Sequence, residues 1–150
     1  MSKKVEEVQD LIPLMTVEKI AAVKREISQE LDKPSADRET FSQAFNRIAA
    51  GLCVQNEDIE IATMVSLKSV YRYRNENNNC IPKPNTLIKL CVGMRLHRMQ
   101  TDYLFGLAGY QIKLNEPYYD IYQYYFDFCA VRKDLTVESL LEKTSLTKKE

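Results

Sequence analysis

Within ten residues, from Ser66 to Asn75, the chain sets Lys68, Arg72 and Arg74 beside Leu67, Tyr71 and Tyr73. Cations fixed on a short element meet phosphates or pair with the acceptor edge of guanine, and apolar side chains can touch the methyl group of thymine. The same sign continues downstream. Residues 66–100 hold Lys68, Arg72, Arg74, Lys83, Lys89, Arg95 and Arg98 against Glu76 alone, although the whole chain balances 21 Lys and Arg with 21 Asp and Glu. A basic island in a neutral chain is the electrostatic footprint expected where phosphates are met. The plain alternative is a solvated helix surface that happens to be basic.

Catalytic patterns are missing. There is no glycine-rich phosphate cradle, no His-Glu-x-x-His and no nucleophile elbow, so neither an enzyme nor a cofactor is expected. Cys53, Cys80, Cys91 and Cys129 form no Cys-x-x-Cys pair, and His97 is the one histidine. That spacing argues against a structural zinc and against a disulfide scaffold, and for reduced thiols in the cytoplasm. Cys80, in a polar loop, is the thiol expected at the surface. The opening Met1-Ser2-Lys3-Lys4-Val5-Glu6-Glu7 has no apolar signal core. No apolar run approaches the ~18 residues of a membrane span.

The elements that must position these residues are helical. Apolar residues recur at spacings of three and four, no segment alternates with period two, and Gly and Pro are scarce. A short helix is expected over Val5–Leu11. A longer one, capped by Thr16, runs to Pro34 with Val17, Ile20, Ala21, Ile27 and Leu31 inward. The next covers Asp37 to Ala50, with Phe41, Phe45 and Ile48 inward and Gly51 as C-terminal cap. Two short helices, Glu57 to Met64 and Leu67 to Arg74, precede a polar loop, Asn75 to Cys80. Pro82 and Pro84 open the next helix. Thr101 caps one closed near Gly109, Asn115-Glu116-Pro117 starts an aromatic one, and Thr136 caps the last. The aromatic run Tyr118 to Phe128 has helical spacing and intervening Asp residues, so it reads as a core or dimer face rather than a base-stacking surface. The expected organisation is an N-terminal helical arm (1–35), a central core (36–96) and a C-terminal helical extension (97–150).

Gln55 to Asn75 thus reads as a short helix, a tight turn and a second short helix capped by Ser66. Ile59, Thr63 or Ala62, Val65, Val70 and Tyr73 are spaced to hold the pair together, leaving Leu67, Lys68, Tyr71, Arg72 and Arg74 outward. Ser66-Leu67-Lys68-Ser69-Val70-Tyr71-Arg72-Tyr73-Arg74-Asn75 resembles the recognition helix of the Cro/repressor (XRE) helix-turn-helix family. The likeness continues through the proline-led Pro84–Leu96 segment, through Asp102–Tyr110, which is similar to an "LL-x-x-AG" extension, and through Asp134–Leu141. It spans roughly residues 38–146.

The resemblance implies an all-α fold: a phage-repressor-like helix-turn-helix bundle flanked by an N-terminal helical arm and a C-terminal helical extension. It also implies a sequence-specific transcriptional regulator of phage or mobile-element type, binding double-stranded DNA as a homodimer. By position, Leu67, Lys68 and Arg72 would face base edges. Ser66, Arg74 and Asn75 would sit near phosphates, and Asn56 would hold the backbone at the start of the first short helix. Tyr71 shares the outward face.

The sequence departs from that family pattern in three places. Glu60 stands where a small residue is usual, and a carboxylate buried between helices is costly. Met64 stands where glycine is usual in the turn, a position that favours positive φ. The loop from Asn75 to Lys83 is long. These departures and the zero net charge suit a second reading, in which a degenerate scaffold serves as a protein–protein interaction module.

Overall fold

The computed structural model describes residues 11–147. Among them are eight α-helices and no strand: α1 Val17–Leu31, α2 Phe41–Gly51, α3 Asn56–Thr63, α4 Leu67–Arg74, α5 Pro84–Gly93, α6 Arg98–Ala108, α7 Tyr119–Phe128 and α8 Val137–Lys143. The all-helical expectation holds. The short helix expected over Val5–Leu11 lies almost entirely outside the described residues. Among the described residues no helix is long and apolar enough to cross a membrane.

Local signals set most helix ends. Thr16 and Thr136 accept first-turn N–H bonds as expected, and Gly109 closes α6 at φ 78°. Five boundaries or caps differ from the sequence reading. Residues Ser35–Asp37 form a separate 3₁₀ turn, and α2 starts at Phe41 because Thr40 and Gln43 make a reciprocal capping box. Gly51 is the last residue of α2 rather than its cap, a position taken by Leu52. α3 runs Asn56–Thr63, with Met64 already outside the helix. His97, not Thr101, caps α6, its Nδ1 accepting from Met99 N–H at 3.1 Å. Burial, and secondarily Lys24, lowers the His97 pKa, which favours the neutral ring that this acceptor role needs. Finally, Tyr118 adopts φ 65°, so α7 begins at Tyr119 rather than at Asn115–Pro117.

One continuous core links α2 through α8. Phe41 stacks on Phe45 at 5.9 Å, and Phe45 meets the edge of Tyr73 at 6.4 Å, joining α2 to α4. α5 is buried all round, from Thr86 to Gly93. Tyr122, Tyr125 and Phe126 bring α7 into the same core, as the aromatic spacing implies. The inner face of α1 is rotated from the one expected. Val23, Ile27 and Glu30 are buried, whereas Val17 is 80% exposed, Leu31 50% exposed, and Ala21 exposed. The cause is the seating of α1 on α6 through a polar latch. Arg47 of α2 donates to Glu26 of α1 and to Glu39, and Glu39 also accepts from the Tyr103 hydroxyl of α6.

Candidate nucleic-acid interface

α3 and α4 are joined by Met64, Val65 and Ser66. Met64 takes φ 59° and ψ 29°, the left-handed conformation that glycine adopts without strain, and its N–H still bonds to Glu60 O at 2.9 Å. Thr63 reinforces the turn, donating to Ile59 O at 2.6 Å and accepting from Val65 N–H at 3.2 Å. Ile59, Thr63, Val65, Val70 and Tyr73 are all buried, so the residues expected to hold the pair together do so. Ala62 is half-buried.

The expected site residues are brought onto one region but play different parts. Lys68, Tyr71 and Arg72 are exposed on α4, with Tyr71 53% exposed, and Leu67 is half-buried beside them. The Arg72 guanidinium lies 5.2 Å from the centre of the Tyr73 ring. Ser66 caps α4, its Oγ accepting from Ser69 N–H at 3.2 Å. Asn75 ends the helix, is exposed, and its Oδ1 accepts from Asn77 N–H at 3.0 Å.

Arg74 is the main correction. It turns inward, donating from Nε to Asn46 Oδ1 at 2.7 Å and from Nη1 to Asn56 Oδ1 at 2.6 Å. Asn46 in turn donates to Glu76 at 2.6 Å. The chain Glu76–Asn46–Arg74–Asn56 therefore ties the end of α4 to α2 and to the start of α3. Asn56 accepts here, which leaves its amide NH₂ as the group it can offer outside. Asn46 and Glu76 carry no motif, and only their tertiary proximity marks them.

The basic island largely dissolves on folding. Lys89 is buried and donates to Thr147 O at 3.1 Å. Arg95 is buried at φ 54° and donates to the carbonyls of Cys129, Arg132 and Lys133 past the end of α7. Arg98 clamps α6 to α7 through Asp127 and Gln123, and pairs with Asp102 on its own helix. With Arg74 turned inward, Lys68, Arg72 and Lys83 are the exposed cations of that stretch. Acids stand close in sequence. Glu57 and Asp58 occupy the first turn of α3, where they suit the positive end of the helix dipole. Glu60 is half-buried rather than enclosed, and its Oε2 accepts from Leu67 N–H, the first amide of α4, at 2.8 Å. The carboxylate that the sequence flags as costly is thus satisfied by a charge-assisted bond.

The exposed thiol is Cys53, at φ 58°, and not Cys80, which is half-buried against the core. No family model matches the chain, and neither the curated proteins nor the solved structures contain a match.

Proposed function

We propose that the chain is a sequence-specific DNA-binding transcriptional regulator of phage or mobile-element type, with α3 and α4 forming a repressor-like helix-turn-helix. The carrying observation is the two-sided character of α4. Ser69, Val70 and Tyr73 are buried, while Lys68, Tyr71 and Arg72 are exposed on an eight-residue helix. In this reading α4 enters the major groove, where Lys68 and Arg72 meet guanine edges and Leu67 and Tyr71 meet thymine methyls. Ser66 and the Asn56 amide group lie at the flanks, suited to phosphates. A homodimer would address two half-sites about one DNA turn apart. Selection from a random duplex pool tests this: a palindromic winner whose affinity falls steeply with salt is expected, and Arg72→Glu should abolish the preference. Equal binding by wild type and Arg72→Glu would remove α4 from the contact.

A second reading has its own observation. Glu57, Asp58, Glu60 and Glu76 lie around the same two helices, and Arg74 is committed inward. Mixed charge on these two helices, with Ile61 48% exposed on α3 and Tyr71 53% exposed on α4, suits a protein partner. In that case the folded protein enriches no duplex at low salt.

A further inference from the structure

We propose that the cleft between α6 and α7 is a binding site for a small organic cation, an amine or quaternary ammonium carried on an apolar group. Two helical faces build it. Arg98, Asp102 and Phe105 share one face of α6, and Tyr119, Gln123 and Phe126 one face of α7, at spacings of three and four. Gly109 ends α6 at φ 78°, and Tyr110 N–H turns back to Phe105 O at 3.0 Å, which brings the Tyr110 ring to the same cleft. Its volume is about 410 Å³, within the range of small-molecule sites. None of its lining residues belongs to α3 or α4, so the site does not depend on the DNA-binding reading.

Four aromatic rings and an excess of acid choose the ligand. Phe105 and Phe126 are buried with ring centroids 5.7 Å apart, and Tyr110 and Tyr119 are half-buried. The faces of such rings are electron-rich and attract cations. The chain already uses this attraction, since the Arg98 guanidinium lies 5.9 Å from the centre of the Phe126 ring. Among the described residues Arg98 is the one cationic side chain lining the cleft. It donates to Asp102 at 3.0 Å and to Asp127 at 2.9 Å. Two carboxylates therefore bracket one guanidinium and leave a negative charge in excess. A ligand anion would add to that excess, whereas a cation cancels it while its apolar part rests on the rings. Gly106 leaves room for the approach. A β-carbon there would meet nothing within 4 Å, so the backbone of α6 is open to the ligand at a point where glycine otherwise only weakens the helix.

Benzyltrimethylammonium, titrated into the full-length protein at low salt and followed by amide NMR, tests this. Saturating shifts are expected at the amides of Gly106, Tyr119 and Gln123. Phenylacetate, of similar size and opposite charge, should leave them in place. Asp102→Asn should weaken the ammonium about fivefold, the scale of one carboxylate–cation pair a few ångströms apart in water. Gly106→Leu places a side chain in open space on a helix, so it should keep or raise the wild-type Tm and lose binding. Equal shifts with phenylacetate, or wild-type affinity in Asp102→Asn, would overturn the assignment of a cation. Shifts centred on Ile27 and Leu31, in the apolar groove between α1 and α6, would move the ligand out of this cleft, as would unimpaired binding by Gly106→Leu. Shifts that grow linearly without saturating would remove the site altogether.

Discussion

The Cα of Thr63 stands 2.6 Å from the point where a β-carbon on Gly93 would lie, and Ala62 O stands 2.7 Å from it. α3 therefore crosses α5 backbone against backbone, with glycine as the residue that permits the approach. This contact sets how far α3, and the turn that carries α4, sit from the core. Gly93→Ala must push the backbone of α3 away. It should cost about 1–3 kcal/mol of stability, read from urea unfolding. An unchanged midpoint would mean that the crossing is looser than described.

Gly106 shows the opposite case. It lies inside α6, where a β-carbon would meet nothing within 4 Å. Its glycine weakens the helix without any packing reason within the described chain. Gly106→Ala should raise stability by about 0.5–1 kcal/mol. A loss of stability would reveal a neighbour at that position.

Arg74 is expected to behave as a structural residue. Arg74→Ala removes both bonds that join the end of α4 to Asn46 and Asn56, leaving those half-buried carbonyls without their charged donor. A loss of about 1–3 kcal/mol should follow in chemical denaturation. A residue that only contacted phosphate would weaken DNA binding and leave the unfolding midpoint in place.

Buried Glu30 of α1, which accepts from Lys33 Nζ at 2.8 Å and from Glu39 N–H at 2.7 Å, predicts an acid sensitivity. Lys33, the Glu39 N–H and Arg47 lower the Glu30 pKa below its usual 4.5, against the opposing effect of burial. A carboxyl whose folded pKa is depressed adds stability above the unfolded pKa, and that stability is lost as pH falls through the folded value. Unfolding free energy should therefore drop as the pH is taken below about 4.5, and Glu30→Gln should flatten that part of the profile. A profile identical to wild type would place the acid sensitivity on other carboxyls.

Thiol chemistry separates the four cysteines. Burial raises the pKa of Cys91, and it raises that of Cys129 to about 12, so both stay protonated near neutral pH. Exposed Cys53 should label first with a maleimide, half-buried Cys80 more slowly, and Cys91 and Cys129 only on unfolding. Labelling of all four at one rate in native buffer would contradict this packing.

The boundary between sequence and tertiary information runs through particular residues. Ile59, Val65, Val70 and Tyr73 were legible because apolar periodicity reports directly on which side of a helix is buried. Met64 was legible only in part: the family likeness marks its position as one that favours positive φ, which it adopts, whereas the apolar spacing kept it inside the helix. Thr16, Thr136 and Gly109 act locally as expected, whereas Thr101 yields to His97 because burial inside α6 outweighs its capping preference. For α1, whose flanks are apolar on more than one side, the pattern placed Ile27 inward correctly but also chose Val17, Ala21 and Leu31, where docking on α6 selected Val23 and Glu30 instead.

The sequence by itself determined an all-helical chain, the two short helices around Met64, and the outward placement of Lys68, Tyr71 and Arg72, because each follows from spacing within a few turns. Only the tertiary structure decided the fate of charge. Arg74, Lys89, Arg95 and Arg98 lie within the same basic stretch as Lys68 and Arg72, yet their partners come from distant elements: Asn46, Thr147, the carbonyls after α7, and Asp127. Net charge along a segment counts cations without regard to what faces them. A guanidinium donates to whichever acceptor folding brings within about 3 Å, and that acceptor can lie anywhere in the chain.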